Sequence, residues 1–302
     1  MSEIPGFGAD PSGRFSVVET TTVGFDAPIR DVLQRLGYLT EEQAAKVAEY
    51  KLLNNLDFDQ AALAMGFISS DDLDRARELL INSLALQNVN RRPVSDELVV
   101  VNERATVRAE SIRLLRTQVI SQHVKLGRRG LAMVAPVDGV GCTYLASNLA
   151  VALAQVGIKV LLIDTNMRSP RVDQVFGLDP NATGLSSYLT LQASRIERVI
   201  NPNVLPNLSV IAAGPPVPRP QELLSSARFR DGANTVMREY DLVMFDTAAA
   251  NASADALTVG GTIGYALLVA RRNLTYFKDV STLVGQLASS RCTVIGSVLN
   301  EF

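Results

Sequence analysis

The chain has 302 residues, 47% of them apolar, with 29 Lys and Arg against 31 Asp and Glu for a formal net charge of −2. That length accommodates about two domains, the composition excludes a wholly disordered chain, and the charge balance excludes a general attraction for nucleic acid or anionic lipid. With one histidine, His123, a His-rich zinc centre is excluded and a Ser/His/Asp triad would have to use that residue.

Residues 1–26 mix Gly, Pro, Ser and Thr without an apolar period and read as a flexible arm. Residues 27–86 read as a small helical domain built on an internal repeat. Leu36-Gly-Tyr-Leu-Thr-Glu-Glu-Gln-Ala44 is echoed by Met65-Gly-Phe-Ile-Ser-Ser-Asp-Asp-Leu73. Each copy predicts a helix ending at glycine, an apolar pair, then Thr40 or Ser69 capping the next helix with acids in its first turn. Residues 87–102 lack an amphipathic period and read as a linker. Residues 103–302 form the second domain, with strands expected over 131–135, 159–164, 208–213, 242–246, 265–270 and 293–299, and helices over 143–156, 229–239 and 276–289. Short unbroken apolar strands separated by helices predict an α/β fold, a parallel sheet covered by helices on both faces. The chain shows neither a signal-peptide core nor an apolar run long enough to cross a bilayer, so a cytoplasmic protein is expected, with Cys142 and Cys292 as thiols.

The first strand runs into Ala135-Pro-Val-Asp-Gly-Val-Gly-Cys-Thr-Tyr144 and then a helix. Strand, glycine-bearing loop and helix surround an anion with backbone N–H groups and a helix N-terminus. On the loop alone, a tight turn that needs Gly139 and Gly141 for backbone reasons is an equal reading. In P-loop proteins the glycines are followed by Lys, which reaches the phosphates, and by Ser or Thr, which holds Mg²⁺. Here Cys142 takes the lysine position and Thr143 keeps the hydroxyl. Asp164 and Asp246 each end a hydrophobic strand, which brings both carboxylates to the sheet edge where open α/β folds bind ligands. Two such acids beside a phosphate loop suit a Mg²⁺-nucleotide site.

Residues 135–154, 160–170, 207–214 with Pro220-Gln-Glu-Leu-Leu224, 240–247, Ser253-Ala-Asp255 and 296–302 together resemble the catalytic domain of the bacterial tyrosine kinases of exopolysaccharide synthesis. These are relatives of the deviant P-loop ATPases that include septum-site and plasmid-partition proteins. The resemblance implies a P-loop NTPase-like fold taking ATP or ADP with Mg²⁺. It assigns Gly139, Gly141, Cys142, Thr143 and Asn300 to the nucleotide, Asn300 at the adenine edge. Thr143 and Asp246 fall to the metal, and Asp164 and Asp246 to catalysis. The departures are Cys142 for the lysine, Asn166 for the second acid of the Asp-x-Asp motif, alanines after Thr247, and Val137 where partition-type ATPases have a further lysine. Losing a charge-assisted contact to phosphate removes on the order of 1.5 to 3 kcal/mol. Weak or lost nucleotide binding and slow or absent catalysis are therefore expected. The alternative is a working tyrosine autokinase whose missing cation comes from Lys159 or Arg168. Cys142 as a reactive thiol, lowered by the helix N-terminus, is the lesser reading beside a neutral replacement.

Glu110, Arg113 and Arg116 match the Glu-x-x-Arg-x-x-Arg motif by which these kinases associate into rings, so a homo-oligomer is expected. The resemblance also implies a membrane chain-length determinant as partner, and so a place at the inner membrane through it. Seven cations between Arg104 and Arg129 leave a short local basic patch, and no nucleic-acid partner is expected. The repeat domain resembles the small helical domain of secretion and pilus ATPases, some of which bind cyclic di-GMP. Protein docking is the favoured reading there, and a dinucleotide ligand the lesser one.

Overall fold

The repeated glycine motif ends a helix the same way twice in the computed structural model, which describes residues 26–54, 56–73, 75–76, 94–103 and 106–301. Helix Asp26–Arg35 closes at Gly37, φ 75°, where the Tyr38 N–H bonds Leu33 O and the Gly37 N–H bonds Gln34 O, both at 3.0 Å. Helix Phe58–Ala64 closes at Gly66, φ 67°, with Phe67 to Ala62 at 3.1 Å and Gly66 to Leu63 at 2.9 Å. The paired bonds satisfy last-turn carbonyls, and the left-handed residue that permits them is glycine in both. Thr40 and Gln43 then exchange backbone and side-chain bonds ahead of helix Glu41–Asn54. Ser69 and Asp72 do the same ahead of helical residues 70–73. Leu33, Leu39, Val47, Phe58 and Ile68 are buried in this unit. The expected arm, apart from Asp26, and residues 77–93 lie outside the described residues.

The chain divides at position 80, and the second unit holds the sheet. Its strands are β1 Gly130–Val134, β2 Val160–Asp164, β3 Asn201–Leu205, β4 Leu208–Ile211, β5 Leu242–Asp246, β6 Tyr265–Arg271 and β7 Thr293–Asn300, in the order β3-β4-β2-β5-β1-β6-β7. Every neighbouring pair is parallel except β3 with β4. Strands β1, β2, β4 and β5 are buried along their whole length, which is why they read as mainly apolar runs, with Ser209 inside β4 and an Asp closing β2 and β5. One face packs against helices Val107–Gln122 and Cys142–Ala154, through Ile112, Val119, Leu145 and Leu149. The other packs against helices Ala227–Glu239, Asp255–Ile263 and Phe277–Ser289, through Phe229, Val236, Val259 and Leu287.

Helix Asp255–Ile263 follows β5 where the sequence reading placed no helix, and two further features depart from that reading. Strand β3, Asn-Pro-Asn-Val-Leu, is an antiparallel edge strand with no apolar run to announce it. Residues 94–102, expected within the linker, are part of the sheet unit. Leu98, Val99 and Val100 are buried, the Val100 N–H donates to Asn148 Oδ1 at 3.3 Å, Asn148 Nδ2 donates to Glu97 O at 2.8 Å, and the Ser95 N–H donates to Val175 O at 2.9 Å. The anchor, Asn148 on helix Cys142–Ala154, is distant in sequence and so invisible to a local pattern.

Strand register sets the site. Asp164 pairs with Asp246 across β2 and β5, and Asp246 with Met133 across β5 and β1. Both carboxylates therefore reach the same sheet edge as the glycine loop leaving β1.

Candidate functional site

The loop between β1 and helix Cys142–Ala154 has Gly139 at φ 73° and Gly141 at φ 88°, the latter capping the helix. The ends of β6 and β7 hold two of its carbonyls. Arg271 Nη1 donates to Gly139 O at 3.0 Å, and Asn300 Nδ2 donates to Val140 O at 2.9 Å. Asn300 thus stands beside the loop with its amide nitrogen bound to it. The loop walls a cleft of about 230 Å³ that also takes in Cys142, Thr143, Asn166 and Arg171.

Inside, the Thr143 hydroxyl donates to Asp246 Oδ2 at 2.5 Å. Asp246 is fully buried and its Oδ1 has no partner. Burial pushes its carboxyl up to about 6, with the Thr143 hydroxyl acting in the opposite direction. Asp164, also fully buried, accepts from the Asn166 N–H at 2.9 Å and from the Arg171 and Val172 N–H groups at 3.2 Å each. Burial first, and then the Asp246 charge, push it up to about 8. With both oxygens spent on backbone, Asp164 organises the segment after β2, whereas Asp246 keeps an oxygen to offer. A hydroxyl beside a carboxylate with a buried, unpartnered oxygen fits Mg²⁺ or one of its waters.

Cys142 does not point a charge at this arrangement. Burial, and after it the nearby Asp246 carboxylate, raise its thiol well above the ordinary value. The lowering expected from the helix N-terminus is outweighed, and the proton stays on sulfur. Asn166 closes its own turn, Nδ2 donating to Ser169 O at 3.0 Å and Oδ1 accepting from the Ser169 N–H at 3.1 Å.

Neither residue expected to supply a replacement cation lines the cleft. Lys159 precedes β2, at the opposite end from Asp164, with its ammonium 4.8 Å from the Tyr240 ring centroid. Arg168 Nε lies 2.8 Å from Asp255 Oδ2, a carboxylate only 1% exposed. The arginine that does line the cleft is Arg171, whose Nη2 lies 2.6 Å from Glu97 Oε1. The sequence reading passed over both. The available signal was a second basic residue directly after Pro170, in the motif that begins at Asp164.

The expected association triplet is split. Arg113 pairs with Glu110 on its own helix at 3.0 Å, while Arg116 donates to Ala152 O at 3.4 Å and is partly buried. His123 is buried with Nε2 3.0 Å from Gly130 O, and its pKa is lowered by burial, so it serves the fold as a neutral ring. Cys292 is buried, its thiol pushed up to about 11 by burial, as expected of a core position.

A family model described as an AAA domain matches residues 129–260. The tyrosine-protein kinase YwqD of Bacillus subtilis (strain 168) is 31% identical over 217 residues, 72% of this chain and 91% of that protein. The tyrosine-protein kinase wzc of Salmonella typhi is also 31% identical, over 70% of this chain but 29% of its own length. Among solved structures, the kinase domain of the Escherichia coli tyrosine kinase ETK superposes with a TM-score of 0.66 at 31% identity, covering 72% of this chain and 83% of that one. The cell division ATPase MinD of Pyrococcus furiosus, at 24% identity and a TM-score of 0.50 over 57% of this chain and 71% of its own, shares the fold. With its P-loop NTPase-like sheet and its match across nearly the whole of YwqD, the chain belongs to the family of bacterial tyrosine-protein kinases.

Proposed function

We propose that this protein is a kinase-like regulator of exopolysaccharide or capsule synthesis, in which phosphoryl-transfer chemistry has been weakened and a membrane chain-length determinant is the partner. The observation that carries this is Cys142, a neutral thiol at the lysine position of a loop that otherwise keeps Gly139, Gly141 and Thr143. ATP or ADP would lie along that loop with Asn300 at its outer side, and Mg²⁺ against Thr143 and Asp246. When bound, the metal neutralises phosphate charge. This chain's own residues then position the nucleotide through backbone N–H groups and the Thr143 hydroxyl, with no loop lysine to stabilise the transferring group. A missing cation in related phosphoryl transfer depresses turnover by about 10³ to 10⁵.

Titration with ATP, with and without Mg²⁺, and a hydrolysis assay test this reading. The expected result is hydrolysis no faster than that of the Asp246→Asn variant. A clear rate that disappears in Asp246→Asn overturns it in favour of a working tyrosine autokinase.

The regulator reading includes self-association through the exposed side of helix Val107–Gln122, where Glu110 and Arg113 lie. Arg116 contributes less, because it is committed to Ala152 of its own chain. Light scattering of wild type and Arg113→Ala, each with the partner's cytoplasmic segment, checks the point: the variant should show a lower mass. Equal masses would reduce the Glu110–Arg113 pair to a solvated one, a type that contributes about 0.2 to 1 kcal/mol. Among the described residues no helix is long and apolar enough to cross a membrane. Placement on the cytoplasmic side of the inner membrane is accordingly assigned to the partner. The helical repeat unit is proposed as a docking module, with cyclic di-GMP as its lesser candidate ligand.

A further inference from the structure

We propose that Arg171 supplies the phosphate-binding cation that the loop lacks, and that Glu97 holds it in reserve when no nucleotide is present. This rests on the reading that the cleft takes a nucleotide, and it assigns a residue that the loop motif does not contain.

The two residues approach the cleft from separately anchored backbones. The Arg171 N–H is bound to Asp164 Oδ2 at 3.2 Å, so its Cα stays at the carboxyl end of β2 whatever its side chain does. Glu97 O accepts from Asn148 Nδ2 at 2.8 Å, which ties the other partner to the helix that the loop begins. Between them the Arg171 guanidinium meets Glu97 Oε1 at 2.6 Å. Arg171 borders both the cleft of about 230 Å³ with Cys142 and Thr143 and an adjoining one of about 500 Å³ that reaches Glu97 and Gly141. One long side chain therefore lines both the space beside the carboxylate that holds it and the space beside a loop with no cation of its own, whose other arginine neighbour, Arg271, is committed to the Gly139 carbonyl.

The pair can be opened. Its side chains are 49% and 40% exposed, and half-exposed ion pairs are weakly held because solvent screens them and two long side chains must be ordered. A phosphate chain carries more charge than a single carboxylate and can accept the guanidinium fork bidentately, where Glu97 takes a single contact from Nη2. Lys159 and Arg168 lack this freedom, one resting on Tyr240 and the other bound to buried Asp255.

Isothermal titration of the full chain with Mg-ATP and with AMP tests the assignment. Arg171→Ala is expected to weaken Mg-ATP binding by about tenfold or more, the loss of one charge-assisted contact, while AMP, which lacks the outer phosphates, binds as before. Arg171→Lys should recover part of the loss. Glu97→Gln, which frees the arginine, should tighten Mg-ATP binding relative to wild type. The proposal is overturned if wild type binds no Mg-ATP, if Arg171→Ala binds it as wild type does, or if ATP and AMP weaken together, which would mark Arg171 as structural. The regulator reading fails separately, on hydrolysis: an Asp246-dependent rate that falls in Arg171→Ala sinks that reading and upholds this one.

Discussion

Cys142→Lys is expected to raise affinity for Mg-ATP by about tenfold to a hundredfold, the equivalent of one charge-assisted contact of about 1.5 to 3 kcal/mol. The substitution places an ammonium where a neutral thiol now faces two buried carboxylates. Their raised values, about 6 for Asp246 and about 8 for Asp164, follow from burial with no loop cation beside them. A nearby positive charge lowers both. Asp246, which at about 6 is already mostly ionised at neutral pH and already accepts the Thr143 hydroxyl, is then held more firmly in its charged form and attracts a metal more strongly. An Asp246-dependent hydrolysis rate should appear with the added affinity, because the same cation stabilises charge as the phosphoryl group moves. Titration calorimetry and phosphate release measure the two effects. Cys142→Ala is the control, removing the thiol without adding charge, and it should gain nothing. Equal affinities for Cys142→Lys and Cys142→Ala would show that the loop has lost more than its lysine.

The second large effect is on stability against pH. Asp164 is lifted from an ordinary value of 3.8 to about 8 in the folded protein. In that interval the folded state binds more protons than the unfolded one, so stability falls as pH rises. The contribution from the protonated carboxyl is fully present below the unfolded value, and it is lost progressively as pH climbs through the folded value. Melting temperatures measured from pH 5 to pH 9 should therefore decline towards the alkaline end. In Asp164→Asn the decline should be much shallower. The amide loses an acceptor for one of the three N–H groups that bond Asp164, so its stability at pH 5 should be lower than wild type by about 1 to 3 kcal/mol. The slope, rather than the offset, carries the test. A wild type as flat as Asp164→Asn would mean that Asp164 ionises at its ordinary value.

The sequence by itself determined the parts whose signals lie within a few residues. Four strands buried from end to end, β1, β2, β4 and β5, could be placed because strands covered on both faces are mostly apolar, broken only by Ser209 within β4 and by Asp164 and Asp246 at the ends of β2 and β5. The paired helix stops at Gly37 and Gly66 and the caps at Thr40 and Ser69 were legible because capping is a contact between near neighbours. Cys142 and Asn166 were visible as departures because a motif compares positions, not surroundings. The tertiary structure decided what those positions meet. It turned the Cys142 thiol towards Asp246, gave Asp164 to the backbone at Arg171 and Val172, and bound Arg168 to Asp255. It also brought Glu97, within a presumed linker, against Arg171 in the cleft. Such pairings join residues far apart in the chain. Strand order and register create them, and register places Asp164 beside Asp246 without leaving any local trace of which arginine will stand next to the loop.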